Sequence, residues 1–131
     1  MILGEVLSCD WNKFNQFIVT TSDTNGLINI WDIRTADNPL MTLSGHTKAI
    51  KCVKFSPIHE TVIGSVSYDM TTRLWDTNTN NGLLFTSQQH KEFVYGFDFN
   101  RHIIDQMADC SWDQFVHIFS YSPQTLSRSH L

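Results

Sequence analysis

His46, Ser65 and Asp69 are the residue types of a hydrolase triad, in which a histidine takes the serine proton while a carboxylate orients its ring. A nucleophilic serine needs exposure, often on the strained elbow of a G-x-S-x-G turn, and donors for an oxyanion nearby. Ser65 instead sits inside Ile63-Gly64-Ser65-Val66, which reads as mid-strand and has no elbow. Asp109 and Asp113 are the type of pair used in acid–base work, but they read more simply as drift from a repeated pattern. Six histidines, His46, His59, His90, His102, His117 and His130, could bind metal, but none pair at H-x-x-x-H or a comparable spacing. Cys9, Cys52 and Cys110 are odd in number, far apart and without a C-x-x-C pair, so they read as small core residues of a reduced cytosolic protein. No G-x-G-x-x-G, P-loop or EF-hand pattern occurs. The expectation is a non-enzyme without cofactor or metal.

What orders these residues is a gapless 44-residue repeat. Trp31, Trp75 and Phe119 stand 44 apart, as do Trp11, Phe55 and Phe99, and Asn25, Asp69 and Asp113, with His46 and His90 in register. That is the period of a four-stranded propeller blade. Alternating runs bounded by turn residues predict strands at 5–11, 17–22, 27–32 and 40–44, then 50–56, 61–67, 71–76 and 83–87, then 94–100, 105–111 and 115–120. Turn pairs Asn25-Gly26, Asn38-Pro39, Ser56-Pro57 and Asn81-Gly82 support those limits. The fold class is therefore all-β, a propeller fragment of about three blades whose last lacks its fourth strand. Repeats at about 2–45, 46–89 and 90–120 make up a partial propeller over 1–120, and the polar 121–131 reads as a flexible tail. A blade buries its faces only against other blades, so three leave a ring too short to close, and the chain reads as part of something larger.

Composition agrees: 41% hydrophobic, 12% aromatic and 17% charged residues suit a globular β protein. Nine Lys and Arg against thirteen Asp and Glu give a net charge of −4, which supplies no basic footprint for nucleic acid. No signal peptide, sequon or apolar run of roughly 20 residues is present, so a soluble intracellular protein without membrane insertion is expected.

Gly45-His46 before a first strand, Trp31-Asp32 and Trp75-Asp76 closing third strands, and Ser67-Tyr68-Asp69 or Ser111-Trp112-Asp113 at the turn between resemble the motifs of the WD40 repeat. In the second repeat, His46, Ser65, Asp69 and Trp75 stand where that family carries a hydrogen-bonded structural tetrad, which accounts for every member of the apparent triad. The first repeat has Ile2, Thr21, Asn25 and Trp31 at these positions, and the third has His90, Asp109, Asp113 and Phe119. Only the middle blade keeps all four, so the outer two are expected to be less rigid.

The ligand face of a propeller is formed by the entrance to each first strand and the turn between the second and third. Counting by 44, those positions are Glu5, Leu7 and Thr24, then Ala49, Lys51 and Tyr68, then Phe93, Tyr95 and Trp112. Exposed Tyr, Trp and Phe have the composition of an interaction hot spot, and Glu5 and Glu92 could receive a cation. Phe93 and Tyr95 could equally pack against a neighbouring blade.

Leu7-Ser8-Cys9-Asp10-Trp11, Val53-Lys54-Phe55-Ser56-Pro57 with Ser67-Tyr68-Asp69, and Ala108-Asp109-Cys110-Ser111-Trp112-Asp113 resemble the carboxy-terminal blades of the receptors for the type 2 peroxisomal targeting signal. The resemblance spans about residues 3–120 and implies a cytosolic carrier that shuttles to the peroxisome. Its cargo would be matrix enzymes bearing an amino-terminal nonapeptide of the form R/K-L/V/I-x5-H/Q-L/A, and its further partners an import co-receptor and docking proteins. A helical signal peptide would lay its basic residue near acidic side chains and its apolar residues on aromatics, with Glu5, Tyr68, Phe93, Tyr95 and Trp112 as candidate contacts. The alternative is a generic WD40 interaction scaffold without a peroxisomal role. Members of the receptor family carry further amino-terminal blades, and an unclosed propeller exposes blade edges that invite self-association. Ser129-His130-Leu131 resembles a variant of the type 1 peroxisomal tripeptide, a possible address of its own.

Overall fold

Eleven strands form among the residues that the computed structural model describes, 4–79 and 82–121. Ile2 and Ser129-His130-Leu131 lie outside the described residues. The first blade holds β1 (Val6–Trp11), β2 (Ile18–Asp23), β3 (Leu27–Asp32) and β4 (Met41–Ser44). In the second are β5 (Ile50–Phe55), β6 (Val62–Ser67), β7 (Thr72–Asp76) and β8 (Leu83–Ser87); in the third, β9 (Val94–Phe99), β10 (Gln106–Ser111) and β11 (Val116–Ser120). Each sheet is an antiparallel meander in chain order, with three strands described in the last. Every strand starts and ends within one residue of its sequence expectation.

Period-two alternation aims successive side chains at opposite faces of a sheet, and here those faces meet different blades. Ile28, Ile30 and Leu43 of the first blade close on Val53, Phe55, Ile63 and Trp75 of the second. Val62, Val66 and Leu74, on the other face of the second blade, close on Val94, Phe97, Phe99 and Met107 of the third. Strand β6 is consequently buried at every residue, whereas β10 alternates between buried and half-buried. On β11 the outward Val116 and Ile118 are 69% and 63% exposed. Tyr121, just past β11, stacks on Phe85 with centroids 4.8 Å apart and donates its hydroxyl to the Leu84 carbonyl at 3.2 Å.

The first strand of each blade is a sheet edge, and unpaired edge amides need acceptors. Asp10 supplies one to the amide of Phe55 at 2.9 Å and Ser8 one to Val53 at 3.3 Å, so polar side chains stitch β1 to β5. At the far ends of these strands, Asn12 donates to the Glu60 carbonyl at 2.9 Å, and His59 meets Asp105 at 2.6 Å.

Two irregularities recur every 44 residues. The turns between second and third strands place Gly26, Met70 and Gln114 at φ of +78°, +71° and +75°. That left-handed geometry is free only to the glycine, while aspartate side chains stabilise it by accepting the amides of Leu27, Thr71 and Phe115. The second is a bulge one residue into each first strand, at Leu7, Lys51 and Tyr95, where the ladder skips a residue.

Gly64 faces the third blade, and a Cβ there would overlap the Phe97 ring. Gly64→Ala is expected to lower unfolding stability by about 1–3 kcal/mol in urea denaturation, with Phe97→Leu restoring part of it. Unchanged stability would show that the blades are not packed this closely.

Candidate functional site

The second blade brings His46, Ser65, Asp69 and Trp75 into one chain of hydrogen bonds. The Ser65 hydroxyl accepts from Trp75 Nε1 at 2.8 Å and donates to His46 Nε2 at 2.7 Å, while His46 Nδ1 donates to Asp69 at 2.8 Å. Burial pushes the Asp69 carboxyl up, but hydrogen bonds from His46 and Thr71 and from the Thr47 amide outweigh it and hold the group below the usual carboxylate range. Ser65 is completely buried and its oxygen is engaged on both sides. No substrate can reach it as a nucleophile.

The outer blades depart from this pattern in different ways. In the first, Trp31 Nε1 donates to Thr21 Oγ1 at 3.0 Å, which preserves the indole–hydroxyl half. In the third, His90 lies between two carboxylates, with Nε2 2.6 Å from Asp109 and Nδ1 2.9 Å from Asp113. Burial disfavours a charged His90, yet the hydrogen bonds to Asp109 and Asp113 prevail and raise its pKa above 6.5. Asp113 is drawn the other way: burial raises it, and His90 with the amides of Lys91 and Phe115 lowers it to about 2. The Asp109–Asp113 pair is thus joined through His90, and the third blade carries a charged network of its own.

Above these networks, on the face where the first strands begin, the aromatic candidates come together. Tyr68 of the second blade stacks on Phe93 of the third, with centroids 4.5 Å apart and planes 20° from parallel. Trp112 tilts over Phe93 at 5.0 Å and Tyr68 at 6.2 Å, and Tyr95 approaches Trp112 at 6.5 Å. Phe93 packs against the neighbouring blade and forms the floor of the cluster. Trp112 is 58% exposed and Tyr95 41%. Glu5 stands on the first blade at the entrance to β1, its amide donating to Thr24 Oγ1 at 2.9 Å. It takes no part in the stacking. The Phe93 carbonyl accepts the Trp112 amide at 3.1 Å, and the Ala49 carbonyl accepts that of Tyr68 at 3.0 Å, so turn and strand entrance hold each other in both blades.

Tyr95 owes its outward aim to the bulge. A bulged residue lies outside the ordinary alternation, so a two-residue period counted along β9 cannot say where it points. The 44-residue count alone puts Tyr95 at the same position as Leu7 and Lys51. At the opposite end of β1, β5 and β9 a cavity of about 570 Å³ is lined by Asp10, Lys13, Lys54, Phe55, Asp98 and Arg101. Lys13 meets Asp10 at 2.7 Å and Lys54 meets Asp98 at 3.6 Å, so most of its charge is matched.

The model of the WD domain, G-beta repeat, matches residues 3–32 and 37–76. Among curated proteins, the chain is 44% identical to the peroxisomal targeting signal 2 receptor of Mus musculus over 66% of its length, 32% identical to that of Saccharomyces cerevisiae over 73%, and 30% identical to that of Schizosaccharomyces pombe over 91%. The alignments span 27%, 35% and 39% of those relatives, so the chain is well under half the length of each.

Removing the Ser65 hydroxyl would leave the Trp75 N–H and a His46 nitrogen unpartnered in the interior. Ser65→Ala is expected to cost about 1–3 kcal/mol of unfolding stability. An unperturbed denaturation midpoint would mean that the buried chain of hydrogen bonds contributes nothing.

Proposed function

This chain belongs to the WD40 repeat family, and from that premise we propose that it forms part of a receptor for type 2 peroxisomal targeting signals. The observation that carries the reading is the aromatic cluster of Tyr68, Phe93, Tyr95 and Trp112, partly exposed on the face where the first strands begin. An amphipathic helix presents apolar residues at i, i+3 and i+4, a stripe that an aromatic platform can take up by burying area at little side-chain entropy. Glu5 on the first blade, and Glu92 beside Phe93, are the groups we assign to the basic residue of the signal. The similarity to three receptors named for this signal supports the choice of ligand.

In this role the protein is a cytosolic carrier that shuttles to the peroxisome, where a co-receptor and docking proteins complete import of its cargo. His46, Ser65, Asp69 and Trp75 serve the stiffness of the central blade and not chemistry. The apolar outer face of the third blade, with Val116 and Ile118, takes another blade, and a second copy of the chain is a partner it could accept.

Titration of a fluorescent type 2 signal peptide by anisotropy tests the reading. Saturable binding is expected, with Trp112→Ala weakening it by about 2 kcal/mol, roughly 30-fold, and Glu5→Gln weakening it less. Absence of binding by a folded chain, or binding indifferent to Trp112→Ala, would leave only a WD40 interaction scaffold.

A further inference from the structure

The second and third blades use the same positions for networks of different chemistry. In the second, Ser65 both donates and accepts, so a histidine with a single ring proton satisfies every group: Nδ1–H donates to Asp69 and Nε2 accepts from the hydroxyl. In the third, Asp109 replaces the serine and Phe119 the tryptophan, so the donor pair is gone. Both His90 nitrogens now face carboxylate oxygens, which only accept. A neutral ring has one N–H and would turn a lone pair against one of them. The buried Asp109 carboxylate cannot turn to water instead, because its second oxygen accepts the Thr72 hydroxyl of the neighbouring blade at 2.6 Å. With the Thr72 hydroxyl donating to one oxygen, Asp109 meets His90 with its other oxygen as an acceptor.

We infer that His90 is an imidazolium clasp within the third blade, and that loss of its one extra proton loosens the two loops that carry Phe93 and Trp112 of the aromatic platform. His90 stands in the loop before Phe93, and Asp113 in the turn after Trp112. Asp113 accepts the Lys91 amide at 3.1 Å and the Phe115 amide at 3.0 Å, while Ser111 Oγ donates to the Glu92 carbonyl at 3.2 Å. The His90–Asp113 bond joins the same two segments as these bonds do, so its release removes one of the ties they share. Among the described residues, His117 of β11 also faces the clasp, edge-on to His90 at 6.1 Å. Its Nδ1 is buried without a hydrogen-bond partner and lies 4.0 Å from Asp109, too far to take the place of His90. The Lys91 side chain is not among these contacts; only its amide is. The clasp works whatever ligand the platform takes.

The sign follows from proton linkage. A histidine whose folded pKa is raised above 6.5 contributes stability that is complete below the unfolded value and is lost as pH rises through the folded one. Across that window, one proton changes the closing equilibrium by up to about tenfold per pH unit. Two measurements on the full chain test this. Long-range ¹H–¹⁵N spectra of ¹⁵N-histidine-labelled protein should show both His90 nitrogens protonated at a pH where the free side chain is neutral. Hydrogen-exchange protection factors for Lys91, Trp112 and Phe115 should fall with rising pH in the wild type and stay flat in Asp109→Asn, whose amide can donate to a neutral ring and still accept from Thr72. Asp109→Ser with Phe119→Trp, which rebuilds the donor pair of the second blade, should be flat as well. A neutral His90 in the folded chain at pH 6, or equal slopes in wild type and Asp109→Asn, would overturn the inference. The labelled wild-type spectrum decides the matter even if neither variant folds.

Discussion

A blade has two largely apolar faces, and each is buried only where another blade meets it. The whole arrangement depends on that constraint, because alternation along each strand sends apolar side chains both ways and only another blade can cover each side. Strand β6 shows it most fully: Ile63 and Ser65 look to the first blade, and Val62, Gly64 and Val66 to the third. The core is consequently a series of interfaces, each closed by complementary shape. Gly64 exists to admit Phe97, and its neighbour Ser65 can be polar only because Trp75 and His46 complete its hydrogen bonds.

The edge strands solve a related problem with polar groups. Asp10 and Ser8 reach across to amides of β5 that no strand pairs, and Thr72 reaches across to Asp109. Blade docking therefore has a directional component alongside the apolar one, which fixes the height of one sheet relative to the next. That height determines whether Tyr68 meets Phe93, since the two rings come from different blades.

Much of this was legible in the chain, for physical reasons that can be named. Strand positions follow from period-two alternation repeated every 44 residues, so eleven elements could be located to within a residue. The four members of the middle network were readable through the resemblance to the WD40 repeat, whose motifs put a tetrad at these positions. Other features depend on groups that carry no local signal. Met70 and Gln114 adopt the backbone of Gly26 without being glycines, since aspartates upstream support the turn. The joining of Asp109 and Asp113 through His90 looked like drift from the family pattern, because residue types alone do not say that two acceptors face one ring. The stacking of Phe93 on Tyr68 needed the relative placement of two blades, which no single repeat encodes.

The bulges at Leu7, Lys51 and Tyr95 separate two kinds of information along one strand. Ile50 and Val94, which precede the bulges of the second and third blades, are completely buried between blades. The bulged Lys51 and Tyr95 are exposed, while Leu7 is half-buried. An aliphatic, a cationic and an aromatic side chain occupy this one place in three meanders of the same strand order, so the position admits unlike side chains without a change of fold. For evolution, and for anyone redesigning the surface, these are the sockets into which a new preference can be fitted.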